Sequence, residues 1–295
     1  MCAKRKSSAG IQGNPLGAQG NELILADSYQ LVARMPKASV DLAYLDPPWF
    51  PGELSLPTNG ADKSMRLHLL QLARVMEQLK RSLRLSGTLF VHSTPELNVH
   101  LRLLLDQIYG RDNFRHEYVL PRQAVGGRRP NHETVFFYSV SESFVFNPVF
   151  RPLTRDESRT WTASDDRGPY RLTALTIPAA RSSSAFEWRS HVPPANSSWR
   201  FSRDRLEQLD EAGLIVFPAG GGPPRVKQYL AEHPGMEVGS VWSDINLLIN
   251  SSERVGVEAQ KPVSLLERIL EIGSHPGGLV TADSQIPDLS GFGIA

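Results

Sequence analysis

An acid, two prolines and an aromatic residue follow directly on the short apolar run LAYL within residues 41–50, DLAYLDPPWF. The run is typical of a buried strand, which must end because neither Pro47 nor Pro48 can donate a ladder hydrogen bond. An exocyclic amino group on a nucleobase is planar and conjugated, and it becomes nucleophilic when its two N–H groups donate to two acceptors. The Asp46 carboxylate and the Pro47 carbonyl could be these acceptors, and Trp49 offers a flat face to an unstacked base. A plain diproline turn with a core-packed tryptophan is the alternative that these residues leave open.

Composition limits the classes of protein that this chain can represent. It has 295 residues, 40% of them hydrophobic, and a net charge of +1, so any nucleic-acid surface must be a local patch. Cys2 is the only cysteine, which excludes a disulfide framework and a cysteine-based zinc site, and we predict no metal site. No apolar run is long enough to span a membrane, and the basic N-terminus has no apolar segment after it. We therefore expect a soluble cytoplasmic protein.

The residue pattern divides the chain into four segments. Residues 1–20 are rich in Gly, Ser, Gln and Lys and are expected to be a flexible lead-in. Strand and helix patterns alternate through residues 21–148, which predicts an α/β sheet. Residues 149–250 hold many Arg, Pro, Gly and Ser and four of the five tryptophans, which indicates an insertion. The α/β pattern returns in residues 251–295, so we expect one α/β domain with an inserted region.

Several element boundaries can be predicted from apolar spacing. Residues 60–87 predict a long amphipathic helix that ends at Gly87, and a short helix is expected to begin at the N-cap Ser202. Residues 132–146 read as a hairpin or two consecutive strands, and residues 224–235 as helical.

The DPPW stretch resembles the catalytic motif of the S-adenosylmethionine-dependent amino-methyltransferases, which methylate adenine N6 or cytosine N4. Other segments agree in order: LADSYQLVARMPKASVDLAYLDPPWF, then HETVFFYSVSESFVFNP, then a late segment that contains Gln-Lys-Pro. A catalytic loop that precedes the cofactor loop resembles the permuted beta group of bacterial DNA methyltransferases. The resemblance covers about residues 21–280 and implies a Rossmann-like, circularly permuted α/β fold with an inserted target-recognition region.

The resemblance also implies roles for individual residues. The catalytic loop would consist of Asp46, Pro47, Pro48 and Trp49. The residues implied to contact S-adenosylmethionine are Asp27, Asp46, Gln260, Lys261, Pro262, Gly291 and Gly293. Of these, Asp27 could instead be a helix N-cap, Lys261 a solvated charge and Pro262 simply the first residue of a helix.

The C-terminal residues depart from the family pattern. LSGFG, residues 289–293, keeps the two glycines of the family's Asp-Pro-Phe-x-Gly-x-Gly turn, but it comes late after the strand GGLVTA and lacks the Asp-Pro. The helix and the ribose-binding acid that would follow are missing. We therefore expect an incomplete cofactor pocket with weakened affinity, and a functionless tail is the alternative.

Arginines interleaved with tryptophans in residues 149–250 favour contacts with DNA, although a normally solvated surface is the plainer interpretation. The candidates in this region are Arg189, Arg200 and Arg225. Arg128 and Arg129, in the glycine-bearing stretch AVGGRRPNHE, could clamp the backbone near a flipped base.

The leading hypothesis is a site-specific DNA methyltransferase of a bacterial or archaeal cytoplasm. Adenine N6 is favoured as its target, because an acid at the first motif position is common among the adenine enzymes. A cytosine N4 enzyme, a catalytically silent DNA-binding remnant and an RNA methyltransferase are the alternatives. The resemblance implies double-stranded DNA as a partner, and it leaves a homodimer and a restriction endonuclease partner open.

Overall fold

The computed structural model of the protein describes residues 5–6, 23–25, 27–47, 59–122, 130–178, 185–245, 252–254, 260–286 and 289–294. The chain forms two compact units, one made of Met1–Val149 with Val238–Ala295 and the other of Phe150–Glu237. The second unit is shorter than the insertion expected at residues 149–250, because Trp242 and Ile245 pack in the core of the first unit. Within the described residues, no helix is both long and apolar enough to cross a membrane.

The described strands are β1 (Arg5–Lys6), β2 (Leu23–Leu25), β3 (Val40–Asp46), β4 (Leu83–Ser93), β5 (Phe114–Pro121), β6 (His132–Ser139), β7 (Phe150–Arg151), β8 (Ala163–Asp165), β9 (Gly168–Ala174), β10 (Thr176–Ile177), β11 (Ser198–Trp199), β12 (Ile215–Val216), β13 (Arg225–Tyr229), β14 (Met236–Glu237), β15 (Val280–Ile286) and β16 (Leu289–Ile294). The described α-helices are α1 (Ser28–Arg34), α2 (Asn59–Ser82), α3 (Pro95–Tyr109), α4 (Arg155–Ser158), α5 (Arg203–Glu211) and α6 (Val263–Gly273).

The first unit contains one mixed sheet with the strand order β1-β2-β16-β15-β3-β4-β6-β5. β15, β3 and β4 are parallel neighbours. β16 runs antiparallel to both β15 and β2, so β2 points in the same direction as the central strands. β6 runs antiparallel to both β4 and β5. The carboxyl ends of β2, β15, β3, β4 and β5 and the amino end of β6 therefore meet at one edge of the sheet.

Alternating side chains of the central strands pack against helices on both faces of this sheet. Ala43 and Leu45 lie in a cluster with buried residues of α1, α2 and α3. Leu42 and Tyr44 point to the other face, where they pack with buried residues of α6. Burial on both faces explains why β3 is a nearly continuous apolar run. The α/β class predicted from the sequence is confirmed, and circular permutation stays a prediction.

A close approach fixes the end of α6 against the sheet. A Cβ atom at Gly273 would lie 2.5 Å from Phe90 Cε2, so only glycine fits there without a shift. The Thr88 hydroxyl donates to the Gly273 carbonyl at 2.8 Å. This contact anchors the C-terminal end of α6. The N-cap of the same helix, Pro262, directly follows Lys261.

Three element predictions need correction. α2 ends at Ser82 rather than at Gly87, because β4 begins at Leu83 and pairs with β3. Residues 225–229 form strand β13 rather than a helix, since they pair with β9, and only a short 3₁₀ turn follows. The stretch that begins at His132 contains one described strand, β6, rather than two.

The second unit has a four-stranded sheet with the order β12-β13-β9-β8. The hydroxyl of Ser202 accepts a hydrogen bond from Arg205 N at 3.4 Å, so Ser202 caps α5 as the sequence predicts. Leu206 and Leu209 of this helix pack with Trp188, Trp199 and Val226 in a buried cluster. Two of the tryptophans that are interleaved with the arginines of this region, Trp188 and Trp199, are thus core residues here.

Candidate active site

The sheet topology brings several charged residues to the edge where the parallel strands end. Asp46 is the last residue of β3, and Asp27 follows β2 after one residue. Asp283 lies on β15 directly opposite Leu45 of β3. In open α/β sheets, ligands bind outside the carboxyl ends of the strands. This edge is therefore the candidate site.

Asp46 is only 4% exposed and forms a buried ion pair with Lys261. The Lys261 Nζ atom lies 3.2 Å from Asp46 Oδ1. Lys261 is held there because the next residue, Pro262, is the N-cap of α6. Burial lowers the pKa of the Lys261 amine, and the Asp46 carboxylate opposes that shift. The plain interpretation of Lys261 as a solvated charge is therefore wrong for this structure.

Four further side chains extend this ion pair into a buried polar network. Glu133, at the start of β6, contacts His92 Nε2 and the Arg122 guanidinium, and its Oε2 lies 3.8 Å from Lys261 Nζ. The Tyr44 hydroxyl lies 3.0 Å from His92 Nδ1. The network thus joins three strands, β3, β4 and β6. It also includes Arg122, which follows β5, and Lys261, which precedes α6.

The protonation of His92 follows from its surroundings. Burial, and next the Lys261 charge, lower the pKa of His92 to about 3, so the imidazole is neutral at physiological pH. Burial also raises the pKa of Tyr44, so its hydroxyl keeps the proton and donates to His92 Nδ1. The proton of the neutral ring is then on Nε2, which donates to Glu133.

Asp283 is a buried acid whose charge is not compensated in the described structure. It is 7% exposed, and neither carboxylate oxygen accepts a hydrogen bond of standard geometry from the described residues. Burial raises its pKa to about 6; Asp46 and Asp27 contribute in the same direction, and the nearby Ser28 hydroxyl opposes them. A buried carboxylate without a partner is costly. It suits a ligand that brings a positive charge, and the sulfonium and ammonium groups of S-adenosylmethionine fit that requirement.

Asp27 is the N-cap of α1. Its carboxylate accepts a hydrogen bond from Gln30 N at 2.9 Å, so the helix-capping alternative is realised in the structure. The cap is exposed, and it lies beside the buried Ser28. A contact of Asp27 with a cofactor stays a prediction.

The other predicted cofactor residues have different outcomes. The Gln260 side chain donates to the Glu253 carbonyl at 2.8 Å, next to Lys261. Gly291 and Gly293 lie in strand β16 rather than in the turn that the family pattern implies. The reason is pairing with both neighbours: Gly293 lies opposite Asp283 on one side and Ile24 on the other.

Part of the predicted catalytic and DNA-binding sets lies outside the described residues. Pro47 is described, and it is buried directly after Asp46. The predicted residues that fall outside are Pro48, Trp49, Arg128 and Arg129. Their roles stay predictions.

The three arginine candidates of the second unit divide into two kinds. Arg189 forms ion pairs with Glu207 and Asp210, at 3.2 and 2.9 Å, so part of its charge is compensated. Arg200 and Arg225 are exposed, and their backbones contact two consecutive residues of the chain. The Arg200 N–H donates to the Leu175 carbonyl at 2.7 Å, and Arg225 pairs with the preceding residue, Ala174.

Comparison with known proteins places the chain in a family. A model of DNA methylases, N6_N4_Mtase, matches residues 40–281. The type II methyltransferase M.EcaI of Enterobacter cloacae is 25% identical over 256 residues. That alignment covers 81% of this chain and 56% of M.EcaI, so the chain spans about half the length of this curated relative. The chain belongs to the N6/N4 DNA methylase family, as its resemblance predicts.

Three solved structures align with parts of this chain, each at low sequence identity and low TM-score. TTHA0409 of Thermus thermophilus, described as a DNA modification methylase and complexed with S-adenosyl-L-methionine, is 14% identical with a TM-score of 0.44 over 88% of this chain and 77% of its own. The M1.HpyAVI–SAM complex is 11% identical with a TM-score of 0.39, over 88% and 81%. The cytosine-N4-specific PvuII DNA methyltransferase is 14% identical with a TM-score of 0.34, over 42% and 50%.

Proposed function

We propose that this protein transfers a methyl group from S-adenosylmethionine to an exocyclic amino group of a DNA base. The observation that carries the proposal is the buried Asp46 carboxylate at the end of β3, contacted on one oxygen by Lys261 and followed directly by Pro47. Membership of the DNA methylase family supports it.

Asp46 and Pro47 would act on the target amine through hydrogen bonds. Lys261 contacts Asp46 Oδ1, and we assign the other oxygen, Oδ2, as acceptor for one N–H of the amine. The Pro47 carbonyl would accept the second N–H. Two such acceptors draw the nitrogen away from conjugation with the ring, so its lone pair becomes available. Because acceptors that are already oriented need no rearrangement during the reaction, burial of this pair favours catalysis.

S-Adenosylmethionine supplies an electrophilic methyl group when it is bound. We assign its positively charged portion to the side of the edge that carries Asp283, whose buried carboxylate has no cationic partner among the described residues. Asp27, at the N-terminus of α1, and Gln260, beside Lys261, complete our set of cofactor contacts.

The second unit, Phe150–Glu237, is the part to which we assign recognition of double-stranded DNA. The backbone of Arg200 contacts Leu175, and Arg225 lies opposite Ala174. Because these two contacts fall on consecutive residues, the exposed arginines could contact adjacent phosphates. We assign adenine N6 as the target, on the acid at the first position of the DPPW motif.

Identification of the methylated nucleoside tests this function. The protein is incubated with S-adenosylmethionine that carries a labelled methyl group and, in parallel reactions, with unmethylated bacteriophage DNA or with an RNA transcript of it. The nucleic acids are then digested to nucleosides for mass spectrometry. Labelled N6-methyladenine is expected. N4-methylcytosine instead would overturn the base assignment, label in RNA but not in DNA would overturn the substrate, and no label from folded protein would overturn the activity.

A further inference from the structure

The polar network at the candidate active site closes into a ring that begins and ends on β3. From Tyr44 the hydrogen bonds run through His92 to Glu133. From Glu133 the Lys261 ammonium leads back to β3 at Asp46, with Nζ 3.8 Å from Glu133 Oε2 and 3.2 Å from Asp46 Oδ1. Tyr44 and Asp46 lie two positions apart on one strand and therefore face the same side of the sheet. His92, Glu133 and Lys261 are each contacted by two members of the ring, and the backbone of β3 fixes its two ends, Tyr44 and Asp46.

Glu133 is the junction of this ring. It is 2% exposed, and its carboxylate contacts one neutral donor, His92, and two cationic side chains, Arg122 and Lys261. Stability is a weak reason for such an arrangement, because the cost of desolvating buried charges roughly cancels their attraction. The alternative is that the carboxylate orients the groups around it.

We propose that Glu133 is a positioning residue for methyl transfer, which holds the Lys261 ammonium on Asp46 Oδ1 so that Oδ2 faces the target amine. This inference rests on the proposed function. Among the described residues, Asp46 is the carboxylate that remains in contact with the ammonium when the Glu133 carboxylate is removed, and Arg122 still repels it. The Lys261 ammonium and the Asp46 carboxylate would then shift together. A displacement of about 1 Å in a reacting geometry can cost a hundredfold in rate.

The test compares two substitutions of the same chemistry. Glu133→Gln keeps the side-chain volume and removes the charge at the junction. Glu271→Gln makes the same change at an exposed position of α6 and is the matched control. Circular dichroism verifies that both variants are folded. We expect Glu133→Gln to lower kcat ten- to a hundredfold with the KM for DNA within twofold of the wild type, and Glu271→Gln to leave both unchanged.

A second readout needs neither cofactor nor DNA. The ¹³Cε resonance of Lys261 is titrated by NMR in protein with labelled lysine, and Lys261→Arg identifies the resonance by its disappearance. Because removal of a nearby carboxylate disfavours the ammonium form, the pKa of Lys261 should be lower in Glu133→Gln than in the wild type. The pKa in Glu271→Gln should equal the wild-type value.

The two readouts separate failure of this inference from failure of the proposed function. A wild-type rate in Glu133→Gln, or an unchanged Lys261 titration, would overturn the positioning role. If the wild type transfers no methyl group although Lys261 titrates as expected, the proposed function fails instead, and the catalytic role of Glu133 fails with it. If Glu133→Gln does not fold, His92→Gln gives the same test from the other side of the junction, with an expected three- to tenfold loss in kcat.

Discussion

The two halves of the sheet edge differ in how their acids are compensated. In the paired half, Asp46 and Glu133 share the Lys261 ammonium. In the open half, Asp283 is equally buried but has no cationic partner among the described residues, and the hydroxyl of neighbouring Ser28 forms no hydrogen bond of standard geometry with them. The side chains of the paired half are oriented before any ligand arrives, which is what the proposed acceptor of amine hydrogen bonds requires. The open half contains a charge that a cationic ligand would compensate.

The largest expected effect is at Asp46. Asp46→Asn keeps the shape of the side chain but replaces one acceptor oxygen by a donor. We expect the rate of methyl transfer to fall a hundred- to a thousandfold, the range for loss of one preoriented hydrogen-bonding group. Single-turnover incorporation of labelled methyl measures the rate, and filter retention measures DNA binding, which should be unchanged. Full activity in the variant would remove Asp46 from the chemistry.

Lys261→Met tests the paired half through stability. The substitution leaves the Asp46 and Glu133 carboxylates buried without their shared cation, and breaking a buried ion pair from one side costs about 3–5 kcal/mol. Urea denaturation should show this loss in the free energy of unfolding. Lys37→Met, at an exposed position of the same unit, is the control and should change it by less than about 0.5 kcal/mol.

Asp283→Asn should have the opposite sign of effect on stability. The pKa of Asp283 rises from 3.8 to about 6 on folding, so between these values the native state binds more protons than the unfolded state. Stability therefore falls as pH rises through this window, by about 3 kcal/mol at most. We expect Asp283→Asn to be more stable than the wild type at pH 8 and similar to it at pH 4. A variant that is less stable at pH 8 would show that the carboxylate has a partner.

The sequence predicts the main features of this edge and misses how its parts are connected. Asp46 and Lys261 are predicted from local motifs that agree in order along the chain. Glu133 and His92 were missed because they meet only when β6 pairs with β4, a contact between residues 41 positions apart. Asp283 could have been found, because it is an acid near the end of a predicted strand, as Asp46 is.

The wrong boundaries have a common physical cause. Gly87 is a good helix terminator by itself, but pairing of Leu83 with Val40 ends α2 earlier. Residues 225–229 have no strong local preference, and their pairing with β9 decides for a strand. In both cases a tertiary contact decides the structure, and a single sequence does not reveal that contact.

Calorimetry of S-adenosylmethionine binding at pH 5.5 and pH 7.5, on the wild type and on Asp283→Asn, tests the difference between the two halves most directly. If the ionised Asp283 carboxylate receives the cationic ligand, wild-type affinity should increase about fourfold between these pH values, because with a pKa of about 6 the ionised fraction rises from about a quarter to nearly one. Asp283→Asn should bind at least tenfold more weakly at pH 7.5, with no comparable change with pH. Equal affinities for the two proteins at pH 7.5, or no binding by the wild type at either pH, would contradict the account.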